Sequence, residues 1–293
     1  MTTAAKLAAF AAVLVVAFGG AAALGAAVGP IEIEKDSASH SAHTGDSAAG
    51  TDHPRGLAIA ADGYRLVLDT TTVATDVPST FGFAIVDDDG HAVTRFDVLH
   101  ERRLHLIVLS RNMIDYLHLH PAMDASGHWT VDLPALDPGS YRLFADFQPS
   151  GAANLTLGAD LTVPGDVRAV APPLVSNVAT VDGYTVTMHG SPEIGDSELS
   201  FSVVLGGTTV RTEPYLGAAG HLVAIRDGDL AYLHVHPHTD STPAVTFTGE
   251  FPTAGTYRLF FDFSHAGVVR TASFTVDITA STGPATMEHE GGH

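Results

Sequence analysis

The residues of this chain best suited to chemistry are histidines in a phrase that occurs twice. Tyr-Leu-His-Leu-His-Pro spans Tyr116–Pro121, and Tyr-Leu-His-Val-His-Pro spans Tyr232–Pro237, 116 positions further along. Successive side chains of a β-strand point to opposite faces, so a His-x-His pair places two imidazoles on one face. Imidazole is a common ligand of copper and zinc ions. The phrase therefore indicates a candidate site for a divalent metal ion in each copy.

Other polar residues repeat at the same offset of 116 positions. His105 and His221 precede the two phrases, and Asp146 and Asp262 follow them within the motif Tyr-Arg-Leu-Phe-x-Asp-Phe. A carboxylate flanked by phenylalanines needs a partner if it is buried, so each Asp is expected to bind the ion or to orient an imidazole. His100 belongs to the first copy only, because its counterpart is a leucine. The predicted metal ligands are His100, His105, His118, His120 and Asp146 in the first copy, and His221, His234, His236 and Asp262 in the second.

The same residues fit two other interpretations. A network of imidazoles, carboxylates and backbone carbonyls would form a hydrogen-bonded latch in a structural or protein-interaction module, without any ion. Asp124 and Asp240 follow the two His pairs, which faintly resembles the first metal motif of cupins, where two His and a Glu bind iron or manganese. Here Asp replaces Glu, the downstream His is missing and a Pro follows each pair directly. Since other catalytic motifs are also lacking, the chain is not expected to be an enzyme.

Composition narrows the chemistry further. The chain has 17 histidines and no cysteine, which excludes disulfides, thiolate zinc sites, iron–sulfur clusters and blue-copper centres. The net charge of −19, from 33 acidic and 14 basic residues, disfavours nucleic acid as a partner. The expected cofactor is a copper or zinc ion, with copper first because it ranks highest in affinity for nitrogen ligands, and no organic cofactor is expected. The sequence does not indicate a protein partner.

The beginning of the chain predicts export. The segment from Leu7 to Gly29 carries no charge, and a helix of that length covers a hydrocarbon core of about 30 Å. Residues 1–30 are predicted to form a single-pass membrane anchor with the remaining chain outside the cytoplasm. Cleavage in the Ala-rich stretches would instead release a secreted protein. Residues 31–56 are predicted to form a His-containing flexible linker, and residues 280–293 a disordered His-containing tail.

Between these segments, short apolar runs alternate with Pro- and Gly-containing turns. Each copy contains about seven such runs, which is typical of an immunoglobulin-like sandwich. The predicted fold is therefore all-β, with two tandem antiparallel β-sandwiches over residues 57–165 and 174–279, joined by a Pro-rich linker. Leu117 and Leu119 are expected to face the core, with the histidines of the phrase on the opposite face.

Two further residue types recur in the motif that contains the aspartates. Tyr141 and Tyr257 follow turn residues and are expected to pack as in a tyrosine corner. Arg142 and Arg258 come next in each copy, and they are expected to pair with carboxylates on the surface of the sheet.

The motifs together resemble those of a group of exported bacterial domains. The resemblance rests on His100-Glu-x-x-x-His105-Leu-Ile-Val, on Tyr116–Pro121, and on Pro138-Gly-Ser-Tyr-Arg-Leu-Phe-Ala-Asp146-Phe, and it spans nearly the whole chain. It implies an N-terminal anchor, a His-rich linker and two extracytoplasmic sandwiches, mostly of unassigned function. In general build the repeat is also similar to small copper-carrying β-sandwich chaperones of the cell envelope.

Overall fold

A computed structural model describes residues 54–238 and 244–279, and every regular element in these ranges is a β-strand. The predicted anchor, the C-terminal tail and nearly all of the His-containing linker lie outside these ranges. No helix within them is long and apolar enough to cross a membrane. The strands of the first copy are β1 Ala60–Ala61, β2 Tyr64–Leu68, β3 Ser79–Asp87, β4 Leu104–Ser110, β5 Tyr116–Leu119, β6 Ala122–Met123, β7 His128–Leu133, β8 Gly139–Phe147 and β9 Leu155–Val163.

The first copy folds into two antiparallel sheets that enclose one core. One sheet has the order β1-β2-β3-β7-β6 and the other has the order β5-β4-β8-β9. This division of strands is that of an immunoglobulin-like sandwich, which confirms the predicted all-β fold. Buried residues from both sheets form the core, among them Phe83, Trp129 and Leu143. Leu117 and Leu119 pack against it, as their alternation with the histidines predicted.

The second copy repeats the sandwich with one difference in connectivity. Its strands are β10 Val178–Val181, β11 Tyr184–His189, β12 Gly195–Leu205, β13 Thr208–Val210, β14 His221–Arg226, β15 Tyr232–Pro237, β16 Val245–Phe251, β17 Gly255–His265 and β18 Val268–Ile278. Strand β15 pairs with β14 over its first half and with β16 over its second, which joins both layers into one nine-stranded sheet. In the first copy, β5 ends at Leu119 and β6 begins at Ala122, so the two layers stay separate.

Both sandwiches contain the expected tyrosine corner. The Tyr141 hydroxyl donates to the carbonyl oxygen of Asp137 at 2.9 Å, and the Tyr257 hydroxyl donates to that of Thr253 at the same distance. Burial, with two nearby aspartates, raises the pKa of Tyr141 to about 12. The Tyr141 phenol therefore stays protonated, and the two hydrogen bonds fix the turns that lead into β8 and β17.

The two arginines of the motif differ in their partners. Arg142 forms the expected surface ion pair with Asp160, at 2.9 Å. The same expectation was wrong for Arg258, which is buried and donates to the Met113 carbonyl oxygen and the Thr275 hydroxyl. The difference arises because Arg258 faces the first sandwich, where a neutral acceptor from that sandwich takes the place of a surface carboxylate.

The two sandwiches pack against each other through a third hydrophobic cluster. Tyr116 stacks on Phe260 with ring centroids 4.1 Å apart, and Tyr232 lies 5.6 Å from Phe144. The two tyrosines are 116 positions apart, and so are the two phenylalanines, so each copy contributes the same tyrosine and the same phenylalanine to the contact. This exchange of equivalent contacts indicates an approximate twofold relation between the copies. We call this the interface cluster; its buried members are Ile107, Leu109, Met113, Phe144, Val223, Ile225, Leu230, Tyr232 and Phe260, with Tyr116 packed against them.

Burial along β4 shows the consequence of this packing. All seven residues of the strand are buried, because one face packs in the core of the first sandwich and the other against the second sandwich. The face of the sheet that carries the repeated histidines and aspartates is therefore covered by a second protein layer.

Candidate metal centre

Two histidines on neighbouring strands form the centre of the site. His105 is the second residue of β4, and His118 lies on β5, directly opposite Ile107. Because residues 105 and 107 share a face of β4, the two imidazoles lie side by side. The distance from His105 Nδ1 to His118 Nε2 is 3.0 Å.

Hydrogen bonds on the far side of each ring define the protonation of these two nitrogens. His105 Nε2 lies 3.1 Å from the Leu99 carbonyl oxygen, and His118 Nδ1 lies 2.8 Å from Asp262 Oδ2. Both oxygens can only accept, so both of these nitrogens carry a hydrogen. In neutral rings, His105 Nδ1 and His118 Nε2 then point lone pairs at each other. Their 3.0 Å separation requires a proton or a cation between them.

His120 contributes a third nitrogen. It follows His118 by two positions, so both rings emerge on the same side of the chain, and their centroids are 4.8 Å apart. The ligand nitrogens of His105, His118 and His120 all lie within 4.8 Å of one another. His120 Nε2 is buried and has no hydrogen-bond partner among the described residues. A buried nitrogen without a partner is costly, which makes this atom the feature of the site that most needs a ligand.

The surroundings of the triad keep the imidazoles of His105 and His120 uncharged. Burial, followed by the neighbouring imidazoles, lowers the pKa of His105 to about 4 and that of His120 to about 3. The neutral form of imidazole is the form that binds metal ions. At neutral pH these two residues therefore present lone pairs rather than positive charge.

The carboxylate at the triad comes from the other sandwich. Asp262, on β17, is 2% exposed; its Oδ2 accepts from His118 Nδ1 and its Oδ1 accepts from the Thr271 hydroxyl at 2.5 Å. The sequence grouped Asp146 with His118, and the geometry does not. Asp146 Oδ1 accepts from Asn154 and Thr156 on its own sandwich.

The position of the strands within the sheet explains why Asp262, and not Asp146, contacts His118. Strands β5 and β8 lie on opposite sides of β4, which places them about 10 Å apart in the plane of the sheet. The aspartate on β8, Asp146, accordingly lies opposite His105 on β4 rather than beside the imidazole on β5. The facing sheet of the second sandwich brings its own aspartate to that imidazole instead.

The remaining predicted ligands lie nearby but outside the triad. His221 Nε2 donates to the Tyr215 carbonyl oxygen at 2.9 Å, matching His105 and Leu99 at the offset of 116. Burial lowers the pKa of His221 to about 4. The His100 ring lies 5.1 Å from that of His221 and 6.1 Å from that of His105. His234 and His236 lie on β15, and their side chains are outside the described part of the structure.

A small polar cavity adjoins the triad between the sandwiches. Its volume is about 30 Å³, enough for one or two water molecules. The lining includes imidazoles from both sandwiches, the Asp146 carboxylate and Tyr232. The site is thus a shared histidine-rich space, with the triad on the side of the first sandwich.

Several contributing groups were not predicted from the sequence. Tyr116 lies 3.5 Å from Asp262 Oδ2, and its place in the repeated phrase was a signal that could have found it. The Leu99 carbonyl oxygen is a main-chain group, which a search for side-chain motifs does not detect. Thr271 has a leucine at the matching position of the first copy, so the repeat gives no sign of it.

Comparison with protein families agrees with the repeat. Residues 59–164 and residues 179–280 each match a family described as "Domain of unknown function (DUF8832)", and together they exceed half of the chain. The chain belongs to this family. The two DUF8832 matches coincide with the two copies of the His and Asp motifs, so the chain carries a tandem domain repeat. A comparison with curated proteins found no match.

Solved structures similar to the DUF8832 repeats include cell-surface proteins and immunoglobulin modules. The Escherichia coli adhesin FdeC is 13% identical, with 76% of this chain and 66% of that chain covered and a TM-score of 0.25. Domains 4–9 of the surface layer protein SbsC are 15% identical, with 74% of this chain and 31% of that chain covered and a TM-score of 0.23. The Ig1-2 module of Drosophila DLAR is 9% identical, with 75% of this chain and 100% of that chain covered and a TM-score of 0.22. The chain thus spans less than two thirds of the first two. With TM-scores this low, these likenesses carry no argument about function.

Proposed function

We propose that this protein binds a divalent transition-metal ion through His105, His118 and His120. The observation that supports the proposal most is the buried, unpartnered Nε2 of His120, whose ring lies 5.1 Å from that of His105 and 4.8 Å from that of His118, the two residues whose lone pairs face each other. One cation at the centre of the three nitrogens would relieve both features. Copper(II) ranks before zinc because it has the higher affinity for nitrogen ligands.

The arrangement has the dimensions of a three-imidazole site. Metal–nitrogen bonds of about 2.0–2.1 Å place neighbouring ligand nitrogens roughly 3.0–3.5 Å apart. His105 and His118 already have this separation, and rotation of the His120 ring brings in the third nitrogen. Three protein ligands leave a fourth position for water or an exchangeable ligand, which suits an ion that is captured and released.

The proposed setting is the outer side of a membrane. The uncharged segment Leu7–Gly29 supports an anchor, and the absence of cysteine suits a site that does not depend on thiols. The role would be binding, buffering or delivery of the ion, without catalysis. The His-rich linker and tail would add weak, exchangeable capture.

The test is metal titration of the full chain in three forms. Wild type, His120→Ala and His128→Ala are titrated with copper(II) and with zinc by calorimetry, with metal content measured after gel filtration. His128 is the matched control, because it also pairs with an aspartate, Asp69, at 2.9 Å, but lies outside the triad. We expect His120→Ala to lose one tight-binding ion and His128→Ala to retain it. Equal binding by all three proteins would end the proposal, since the terminal histidines are common to all.

The hydrogen-bonded latch is the second candidate function. If His118 were an imidazolium, its Nδ1 hydrogen would go to Asp262 and its Nε2 hydrogen to His105, which satisfies the 3.0 Å contact without an ion. This arrangement leaves His120 Nε2 without a partner, and for that reason it ranks second. In a latch, both ring nitrogens of His118 carry a hydrogen in the metal-free protein, which ¹⁵N NMR of the ring detects.

A further inference from the structure

We infer that Asp262 of the second sandwich is a positioning residue for the ion held by the first, so that metal affinity depends on contact between the sandwiches. This inference rests on the proposed metal-binding function. The three proposed ligands all come from one sandwich, whereas the carboxylate that contacts His118 comes from the other.

Asp262 has the contacts that this role requires. Its carboxylate is almost fully buried, and a buried charge is stable only with charged or hydrogen-bonding partners. Thr271 holds one oxygen, and the other faces His118 Nδ1 at 2.8 Å. A hydrogen bond from an imidazole to a carboxylate makes the opposite ring nitrogen a better metal ligand, and it fixes which nitrogen is free. Here the nitrogen left free is Nε2, which lies next to His105.

The negative charge of Asp262 also favours a cation at the triad. A divalent cation at the triad would bring two positive charges to ligands that are all neutral imidazoles. Asp262, whose hydrogen bond joins it directly to one of those ligands, supplies a negative charge in a region of low dielectric, where attraction is weakly screened. The carboxylate therefore favours the loaded state without binding the ion itself.

The interface cluster fixes the distance between Asp262 and His118. Tyr116 precedes His118 by two positions, and Phe260 precedes Asp262 by two, so each pair shares a strand face. Tyr116 stacks on Phe260 at 4.1 Å with an angle of 5° between the rings. One strand-to-strand register thus sets both the aromatic stack and the imidazole–carboxylate contact. Because coupling between binding and packing is reciprocal, the ion should stabilise the contact between sandwiches as much as that contact favours the ion.

The experiment compares the full chain carrying Asp262→Asn with wild type, by chelator competition against copper(II) and zinc. Asparagine has the same shape and its oxygen still accepts from His118, so the substitution removes mainly the charge. We expect affinity to fall roughly 10–100-fold, the range found for groups that orient metal-bound histidines. Asp160→Asn is the control, since Asp160 is an exposed carboxylate that pairs with Arg142 far from the triad.

A second variant distinguishes positioning from general support of the fold. Thr271→Val removes the other hydrogen bond of the same carboxylate but keeps its charge. Positioning predicts a smaller loss of affinity than in Asp262→Asn, and it predicts that the ¹⁵N resonance of His118 Nδ1 in the zinc form shifts only in Asp262→Asn. A merely structural role predicts similar losses in both variants and no selective shift.

The outcomes separate the two levels of the proposal. If wild type binds and Asp262→Asn binds equally tightly, the inference is overturned while the proposed function stands. If wild type does not bind at the triad, the proposed function fails, and the inference fails with it. If the two variants lose affinity to the same extent, Asp262 is a structural residue and the inference is again overturned.

Discussion

The metal-free protein should lose stability steeply as the pH falls from about 6.5 to about 4. Burial lowers the pKa of His105 and of His221 from 6.5 to about 4, because the folded protein keeps both rings out of water. In the unfolded chain these rings have their ordinary pKa, so within this window the unfolded state binds more protons than the folded state. The free energy of unfolding therefore rises with pH and falls on acidification.

The size of the effect follows from the two shifts. Each is a change of about 2.5 pKa units, worth roughly 3 kcal/mol once the pH is below both values. Both side chains are less than 10% exposed, so solvent screening reduces this little. In the middle of the window these two residues give a slope of about 2.7 kcal/mol per pH unit, and His120, whose pKa is lowered to about 3, adds about 1.4 kcal/mol per pH unit. Domains typically have a free energy of unfolding of roughly 5–15 kcal/mol. Acid unfolding should therefore begin above about pH 4, before acidification reaches that value.

The assay is urea denaturation in the presence of a metal chelator at several pH values across the window. The variant His221→Gln should reduce the slope by about 1.4 kcal/mol per pH unit, the contribution of one proton. The control His91→Gln should leave it unchanged, because His91 is an exposed surface residue. Stability that stays constant from about pH 6.5 to about pH 4.5, or a slope that His221→Gln does not alter, would show that burial of these histidines does not control acid stability.

Three further predictions concern the packing of the sandwiches. Phe260→Ala should lower the free energy of unfolding, measured in denaturant melts, by about 3–5 kcal/mol, because the side chain is fully buried in the interface cluster. The exposed control Val268→Ala should change it by less than about 0.5 kcal/mol. Gly158→Ala should lower the melting temperature and cost about 1–3 kcal/mol, since the added carbon would overlap the Gly56 carbonyl oxygen; an unchanged melt would contradict this contact. Tyr257→Phe should cost about 1 kcal/mol through loss of the corner hydrogen bond, and a neutral result in the same melts would mean that this bond does not stabilise the fold.

Much of the fold could be predicted from the sequence because it depends on local patterns. Alternation in Leu117–His118–Leu119 determines which face is buried in the core, and the turn residues before Tyr141 predict the tyrosine corner. Repetition at an offset of 116 positions predicts the tandem arrangement. These features depend on residues close together in the chain, and a single sequence displays them.

The grouping of the site residues could not be predicted because it depends on packing between sandwiches. Strand periodicity places His118 and Asp146 on the same face of one sheet, but it does not show that they lie two strands apart. It also cannot show that the facing sheet supplies Asp262, more than 140 positions away, or that Arg258 finds a main-chain acceptor in the other sandwich. Such contacts follow from the interface cluster, whose apolar residues look like ordinary strand residues in the sequence.

The most direct measurement is anomalous diffraction from crystals of the full chain loaded with copper(II) or zinc. We expect a peak at the metal absorption edge about 2.0–2.1 Å from His105 Nδ1, His118 Nε2 and His120 Nε2, with His118 Nδ1 still hydrogen-bonded to the Asp262 carboxylate. A map without a peak at the triad, or with the ion held only by other histidines, would contradict it.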